Sequence, residues 1–190
     1  PSESSSDPQT LNSPPQLTPE QQGALSRLRT LPASRAFRVP LLHGVTGSGK
    51  TEIYLRLSAE MLASGRGVLM LVPEIALTPA VVSLFRQAFG DRVAVQHSGL
   101  SDGERHDQWQ RIRRGDVAVV VGTRSAIFAP IECVGLIIVD EEHDSSYKQE
   151  ESPRYHARDV AVMRARLEGV PVVLGSATPS LESYQNAQKG

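Results

Sequence analysis

The sequence predicts a doubly wound α/β domain: a mostly parallel sheet with helices packed on both faces. Three observations predict it. Short β-branched runs alternate with longer amphipathic or small-residue segments along most of the chain, the rhythm of strand–helix–strand units. Leu136-Ile-Ile-Val139 is apolar at every position, as a central parallel strand covered on both sides requires. Gly44-Val-Thr-Gly-Ser-Gly-Lys50-Thr51 stands between a strand-like run and a helix-like one. A length of 190 residues with 39% hydrophobic types suits one such domain, or a domain with a tail.

The elements follow in order. Pro1 to Gln16 holds four prolines, five serines and one large apolar residue, Leu11, too little apolar surface to offset its ordering entropy, so residues 1–16 read as a disordered linker. Order begins at Leu17, giving a domain over residues 17–190. Thr18 caps a first helix that runs to about Leu31, with Pro19 in its first turn and Gln21 completing a capping box. Strands are expected near Val39–His43, Val68–Val72, Val93–His97, Val117–Val121, Gly135–Asp140 and Val170–Gly175. Helices are expected near Lys50–Ala63, Thr78–Phe89, Asp102–Arg114, Ala157–Leu167 and Pro179–Gln188. Ser101 with Glu104 forms another capping box, and Gly65, Gly90, Gly115 and Gly169 sit where helices stop. Trp109 and Ile112 read as core anchors, Cys133 as a small buried filler, and Arg111, Arg113 and Arg114 as a solvated helix end.

Composition narrows the function. Twenty Lys and Arg against 21 Asp and Glu give a formal charge of -1, so any polyanion site is local. One cysteine excludes an internal disulfide and a Cys-only zinc knuckle. No apolar run reaches the roughly 18 residues of a membrane helix. The N-terminus has no secretory pattern and no initiator Met, as in a piece cut from a longer protein.

Two motifs carry chemistry. Gly44 to Thr51 matches G-x-x-x-x-G-K-[ST], in which small residues let backbone N–H groups curl around a phosphate at a helix N-terminus. Gly44, Val45, Thr46, Gly47, Ser48, Gly49, Lys50 and Thr51 are thus the phosphate-binding candidates. Lys50 is placed to reach the β and γ oxygens and Thr51 to ligate magnesium. Asp140-Glu-Glu-His143 follows the buried strand. There Asp140 can hold the magnesium water shell and Glu141 can orient or deprotonate an attacking water. Lys50, Asp140 and Glu141 are the catalytic candidates, Thr51 and Asp140 the metal candidates. These elements alone fit a kinase, a nucleotide switch or a translocating ATPase.

A resemblance decides among them. Asp140-Glu-Glu-His143 resembles the DEAH-type box of superfamily 2 helicases, and Gly175-Ser-Ala-Thr178 is similar to their coupling motif. Val72-Pro-Glu-Ile-Ala-Leu-Thr78 and Gly122-Thr-Arg-Ser-Ala126 resemble the segments that grip one nucleic-acid strand in that superfamily. Leu17-Thr-Pro-Glu-Gln21 resembles its adenine-reading glutamine element. More narrowly, Glu141-Glu-His-Asp-Ser-Ser-Tyr-Lys-Gln149 and Arg154-Tyr-His-Ala-Arg-Asp159 resemble the bacterial primosomal replication-restart helicases, with likeness from about Leu17 to Tyr184.

The resemblance implies a RecA-like P-loop NTPase fold, here the first helicase lobe. It implies ATP and magnesium as cofactors, Gln21 reading the base, and His143, Ser176 and Thr178 relaying the γ-phosphate state. It implies 3'-to-5' travel on single-stranded DNA at forked substrates and contact with single-strand-binding protein and other primosome proteins. It also implies a cytoplasmic, nucleoid-associated location. The loop from Tyr147 to Arg158 interleaves aromatic and cationic groups, which stack on bases and meet phosphates. Tyr147, Lys148, Arg154, Tyr155 and Arg158, together with Thr78 and Arg124, are the DNA-contact candidates. A second lobe, its arginine finger and a cysteine-rich zinc insertion do not follow Thr178, so this chain is expected to bind ATP weakly and unwind negligibly by itself. A non-motor docking module and a small-molecule kinase are the competing readings. In the first an inherited nucleotide pocket only regulates docking; Lys50, Thr51, Asp140 and Glu141 are all intact, which argues against decay of the ATP motifs. The second gives no reason for the acidic box beside Gly175-Ser-Ala-Thr178.

Overall fold

The computed structural model describes residues 16–33, 37–45 and 47–189; the expected linker lies outside them, apart from Gln16. A single six-stranded parallel sheet organises these residues, in the order β1-β8-β5-β2-β4-β3. Its strands are β1 Leu41–His43, β2 Gly67–Leu71, β3 Val93–Gln96, β4 Val119–Gly122, β5 Val134–Val139 and β8 Val172–Ser176. All six expected strands are present, the first, fourth and last starting two residues later than expected.

Helices α1 Pro19–Ala33, α2 Lys50–Ala63 and α3 Pro79–Phe89 contribute to the apolar cluster on one face. Helices α4 Asp102–Arg113 and α5 Ala157–Glu168 contribute to the cluster on the other, and α6 Leu181–Lys189 follows the last strand. Strand periodicity creates this division: Val68 and Met70 point to the first layer, Leu69 and Leu71 to the second. Each fully buried Leu, Ile or Phe side chain contributes about 1.5–3 kcal/mol. In α5 the buried stripe is Ala157, Ala161 and Ala165, spaced by four so that small side chains let the helix approach the sheet.

Local signals held. The Thr18 N–H donates to Gln21 Oε1 at 2.9 Å and the Gln21 N–H to Thr18 Oγ1 at 3.3 Å, a reciprocal cap on α1. Ser101 and Glu104 cap α4 in the same way. Gly169 ends α5 in the left-handed region.

Three expectations are corrected. Trp109 is 37% exposed, so Ile112 alone of that pair anchors α4 to the core; three residues fall short of a full turn of 3.6, which leaves Trp109 at the edge of the face that Ile112 buries. Cys133 is exposed and has φ 50, because it forms the turn into β5 rather than a core position. The segment after the acidic box is no plain loop: β6 Lys148–Gln149 pairs antiparallel with β7 Tyr155–His156, a pairing too short for periodicity to reveal.

Candidate active site

Topology brings the two motifs together. The phosphate loop follows β1 and the acidic box follows β5, while β8 lies between those strands. Two interstrand spacings put the motifs about 10 Å apart at the carboxyl edge of the sheet, room for a phosphate and a hydrated divalent ion. They face each other: Lys50 Nζ lies 3.2 Å from Glu141 Oε1 and donates to the Gly44 carbonyl at 3.0 Å. Gly44 N–H donates to Ser176 O at 3.1 Å, tying the loop to β8.

The loop residues suit a phosphate. Gly49, at φ 78, adopts a conformation that L side chains avoid. A Cβ there would stand 2.3 Å from Gln21 Nε2, which itself donates to the Ser48 carbonyl at 2.7 Å. The cradle thus needs a glycine for its shape, and the end of the Gln21 side chain is packed onto it. Lys50 is buried although charged, a cost that an anion beside it would offset. Thr51 opens α2, where the helix dipole favours the same anion. Val45, Gly47 and Ser48 lie in the loop; Thr46 lies outside the described residues.

One turn beyond Thr51, and therefore on the same side of α2, Tyr54 donates to Asp140 Oδ1 at 2.9 Å. Burial and the neighbouring Asp140 push the Tyr54 phenol well above its ordinary pKa, so it remains a donor. Burial also raises the Asp140 carboxyl, opposed by the Tyr54 hydrogen bond and by Lys50. Tyr54 reaches Asp140 across the end of β8, and Gly175 leaves the space: a Cβ on it would sit 1.8 Å from the Tyr54 hydroxyl. Gly175→Ala is therefore expected to push Tyr54 off Asp140. We expect a loss of about 1–3 kcal/mol by thermal or urea unfolding and weakened magnesium-dependent nucleotide binding by titration.

Glu141 turns sharply out of the strand in the left-handed region, at φ 44, a strain of roughly 1–2 kcal/mol for a non-glycine residue. That turn returns its carboxylate over Lys50 and lets Oε2 accept from the Ala177 N–H at 3.3 Å. His143 bridges the coupling residues: Nδ1 lies 2.8 Å from Ser176 Oγ and Nε2 lies 3.1 Å from Thr178 Oγ1. Glu142, fully buried, faces away from the nucleotide side toward α6 and α5. Burial would raise its pKa, but hydrogen bonds from Ser180, Ser183 and Arg158 prevail and hold it below the usual glutamate value.

The strand-contact candidates divide. Thr78 is exposed and its hydroxyl caps α3 by accepting from Val81 N–H. Lys148 and Arg154 are exposed, Lys148 beside Glu150 at 3.1 Å. Tyr155 is half-buried, edge-on to Phe128 with ring centroids 5.2 Å apart. A groove of about 360 Å³ is lined by Glu74, Ser98, Thr123, Arg124, Ser146 and Tyr155, among others. Arg124 is both wall and buttress there, since its Nη1 donates to the carbonyls of Lys148 at 2.6 Å and Ser146 at 3.3 Å.

Tyr147 and Arg158 are corrected. Tyr147 is fully buried and its hydroxyl donates to the Asp140 carbonyl at 2.6 Å, so no face of it is open to a base. The Arg158 side chain is 15% exposed and paired with Glu142, Asp159 and Glu182. Composition marks such residues as sticky without saying which face they take. Tyr147→Phe is expected to cost about 1 kcal/mol in unfolding free energy and to leave single-strand affinity unchanged in a fluorescence-anisotropy titration.

Sequence reasoning missed Tyr54, Phe128 and the separate direction of Glu142. Only Tyr54 left a signal, its spacing of three from Thr51 on a helix.

Comparison with known proteins shows the family and the fold. The DEAD/DEAH box helicase family model matches residues 18–187. The chain is 60% identical over 174 residues to the replication restart protein PriA of Bacillus subtilis, covering 92% of this chain and 22% of that protein. To PriA of Haemophilus influenzae it is 52% identical over 180 residues, covering 95% and 24%. It thus spans about a quarter of the length of the curated relatives it matches. Among solved structures, the Pyrococcus furiosus Hef helicase domain has a TM-score of 0.58 at 22% identity, covering 90% of this chain and 35% of its own. The DUF1998 helicase MrfA has a TM-score of 0.61 at 18% identity, covering 92% and 29%. These two share the RecA-like α/β fold.

Proposed function

The chain belongs to the DEAD/DEAH box helicase family, and from that premise we propose that it is the ATP-binding first motor lobe of a DNA helicase acting in replication restart. The observation that carries the reading is the contact of Lys50 with Glu141, the phosphate loop against the acidic box. The PriA names of its relatives supply replication restart as the setting.

In this mechanism the loop N–H groups and Lys50 hold the β and γ phosphates of ATP, and Gln21 stands beside the loop to meet the base. Thr51 and Asp140 would hold magnesium, which when bound would supply positive charge against that developing on the phosphates. Tyr54 fixes the Asp140 carboxylate. Glu141, released from Lys50 when the lysine turns to phosphate, orients the attacking water and takes its proton. Ala177 N–H on Glu141 and the His143 contacts with Ser176 and Thr178 connect that event to the segment after β8. Thr78, Arg124, Lys148, Arg154 and Tyr155 lie on the strand-gripping surface, where phosphates meet cations and bases meet the aromatic ring.

Family likeness further supports 3'-to-5' travel on single strands, a preference for forks, partnership with single-strand-binding protein and primosome proteins, and a cytoplasmic place at the nucleoid. Among the described residues no group of three or more His, Cys, Asp or Glu is placed to hold a metal ion. Magnesium does not need such a group, since phosphates and waters complete its shell.

The test is ATP hydrolysis, with and without single-stranded DNA, by a longer PriA-type protein carrying this lobe. Stimulation by single strands supports the motor; nucleotide binding without stimulated turnover favours a docking module.

A further inference from the structure

We propose that His43, the last residue of β1, is a positioning residue for hydrolysis: its ring fixes the turn over residues 176–178, and an N–H of that turn aims the Glu141 carboxylate. The inference deepens the motor reading and rests on it.

Glu141 has few anchors. Its Oε1 lies 3.2 Å from Lys50 Nζ, a contact that the phosphates of ATP take over, and its Oε2 accepts from the Ala177 N–H at 3.3 Å. His143 Nδ1 stands at 3.8 Å from that Oε2, too far for a hydrogen bond. Once Lys50 turns to nucleotide, the direction of the carboxylate depends on where Ala177 holds its N–H. A shift of that turn by a fraction of an ångström moves the base relative to the attacking water.

The turn is held from β1. Strands β1 and β8 pair as far as His43 and Ser176, and the Gly44 N–H adds a last backbone bond to the Ser176 carbonyl at 3.1 Å. Ala177 lies one residue past that pairing. There the His43 side chain continues the contact that the backbone has left, with Nε2 3.3 Å from the Ala177 carbonyl. A carbonyl only accepts, so Nε2 carries the proton and the ring is the donor. The other end of the same peptide unit, the Thr178 N–H, donates to Ser176 Oγ at 3.0 Å. The peptide between Ala177 and Thr178 is therefore gripped at both its oxygen and its nitrogen. Because β8 lies between β1 and β5, His43 steadies the turn from one side while Glu141 and His143 meet it from the other. His43 is exposed at the end of an edge strand, so it fills no core position, and replacing it tests the bond rather than the packing.

The test measures steady-state ATP turnover by a longer PriA-type protein carrying this lobe, with an oligothymidylate as the strand. His43→Phe keeps a ring and loses the donor; His43→Gln loses the ring and keeps an N–H that reaches the same carbonyl. Expected for His43→Phe is a kcat lower by about three- to tenfold, the loss of one neutral hydrogen bond, with an unchanged KM for ATP. His43→Gln should restore kcat to near the parent value. In a Glu141→Gln background His43→Phe should lower kcat no further, since it acts through that carboxylate. Overturning results are a parent-like kcat for His43→Phe, equal losses in the Phe and Gln variants, or the same fold-loss in the Glu141→Gln background. A raised KM with kcat retained also overturns it, making His43 a nucleotide contact. If His43→Phe melts out, His43→Ala carries the same comparisons. A parent that hydrolyses no ATP with the strand present overturns the motor reading itself, whereas an active parent with an unaltered His43→Phe variant overturns only the role of His43.

Discussion

Replacing Lys50 with alanine is expected to lower ATP turnover by about 10²–10³-fold or more and to weaken nucleotide binding. The lysine is buried at 7% exposure, points into the phosphate cradle and makes its charged contact with Glu141. Losing it removes the cation that meets the γ phosphate and leaves Glu141 without its resting partner. The loop itself should survive the loss of the Lys50–Gly44 hydrogen bond, because Gly49, Gln21 and the Gly44–Ser176 hydrogen bond also hold its shape. The variant should therefore melt near the parent temperature while titration with a fluorescent ADP shows weakened binding. Parent-like binding and turnover would contradict the account.

Glu141→Gln is expected to separate binding from chemistry. A glutamine keeps an oxygen for the Ala177 N–H but cannot accept a proton from water, so turnover should fall by about 10²–10⁴-fold. Binding should move the other way. In the parent, ATP phosphates must compete with Glu141 for Lys50 at 3.2 Å; without that carboxylate charge the lysine is free to engage the nucleotide. We expect tighter ATP binding with nearly abolished hydrolysis, read by equilibrium titration beside a steady-state assay. Loss of binding and turnover together would show that Glu141 serves the cradle rather than the water.

The fold was legible wherever local spacing carries the signal. Thr18 with Gln21 and Ser101 with Glu104 are caps set by three-residue offsets, and Leu136 to Val139 announces a doubly covered strand by composition alone. The phosphate loop and acidic box were legible for the same reason: their chemistry lies in contiguous residues at strand ends, and parallel topology brings those ends to one edge. What lay hidden depends on direction. Asp140, Glu141 and Glu142 look alike in sequence, yet the left-handed turn at Glu141 sends successive carboxylates to Tyr54, to Lys50 and to the Ser180–Ser183 segment. Tyr147 and Arg158 have the composition of a DNA contact, but one hydroxyl finds the Asp140 carbonyl and one guanidinium finds Glu142. Gly175 reads as part of a coupling motif, and only three-dimensional proximity shows that it clears a path for Tyr54. The two-residue strands of the hairpin are below the length at which alternation has meaning.

The most direct measurement is a crystal structure of the chain with ADP and magnesium. The account predicts the β phosphate within the 44–51 loop, the ion ligated by Thr51 and reached through water by Asp140, and Gln21 at the adenine. A nucleotide bound away from Lys50, or a metal on the far side of β8 from Asp140, would contradict it.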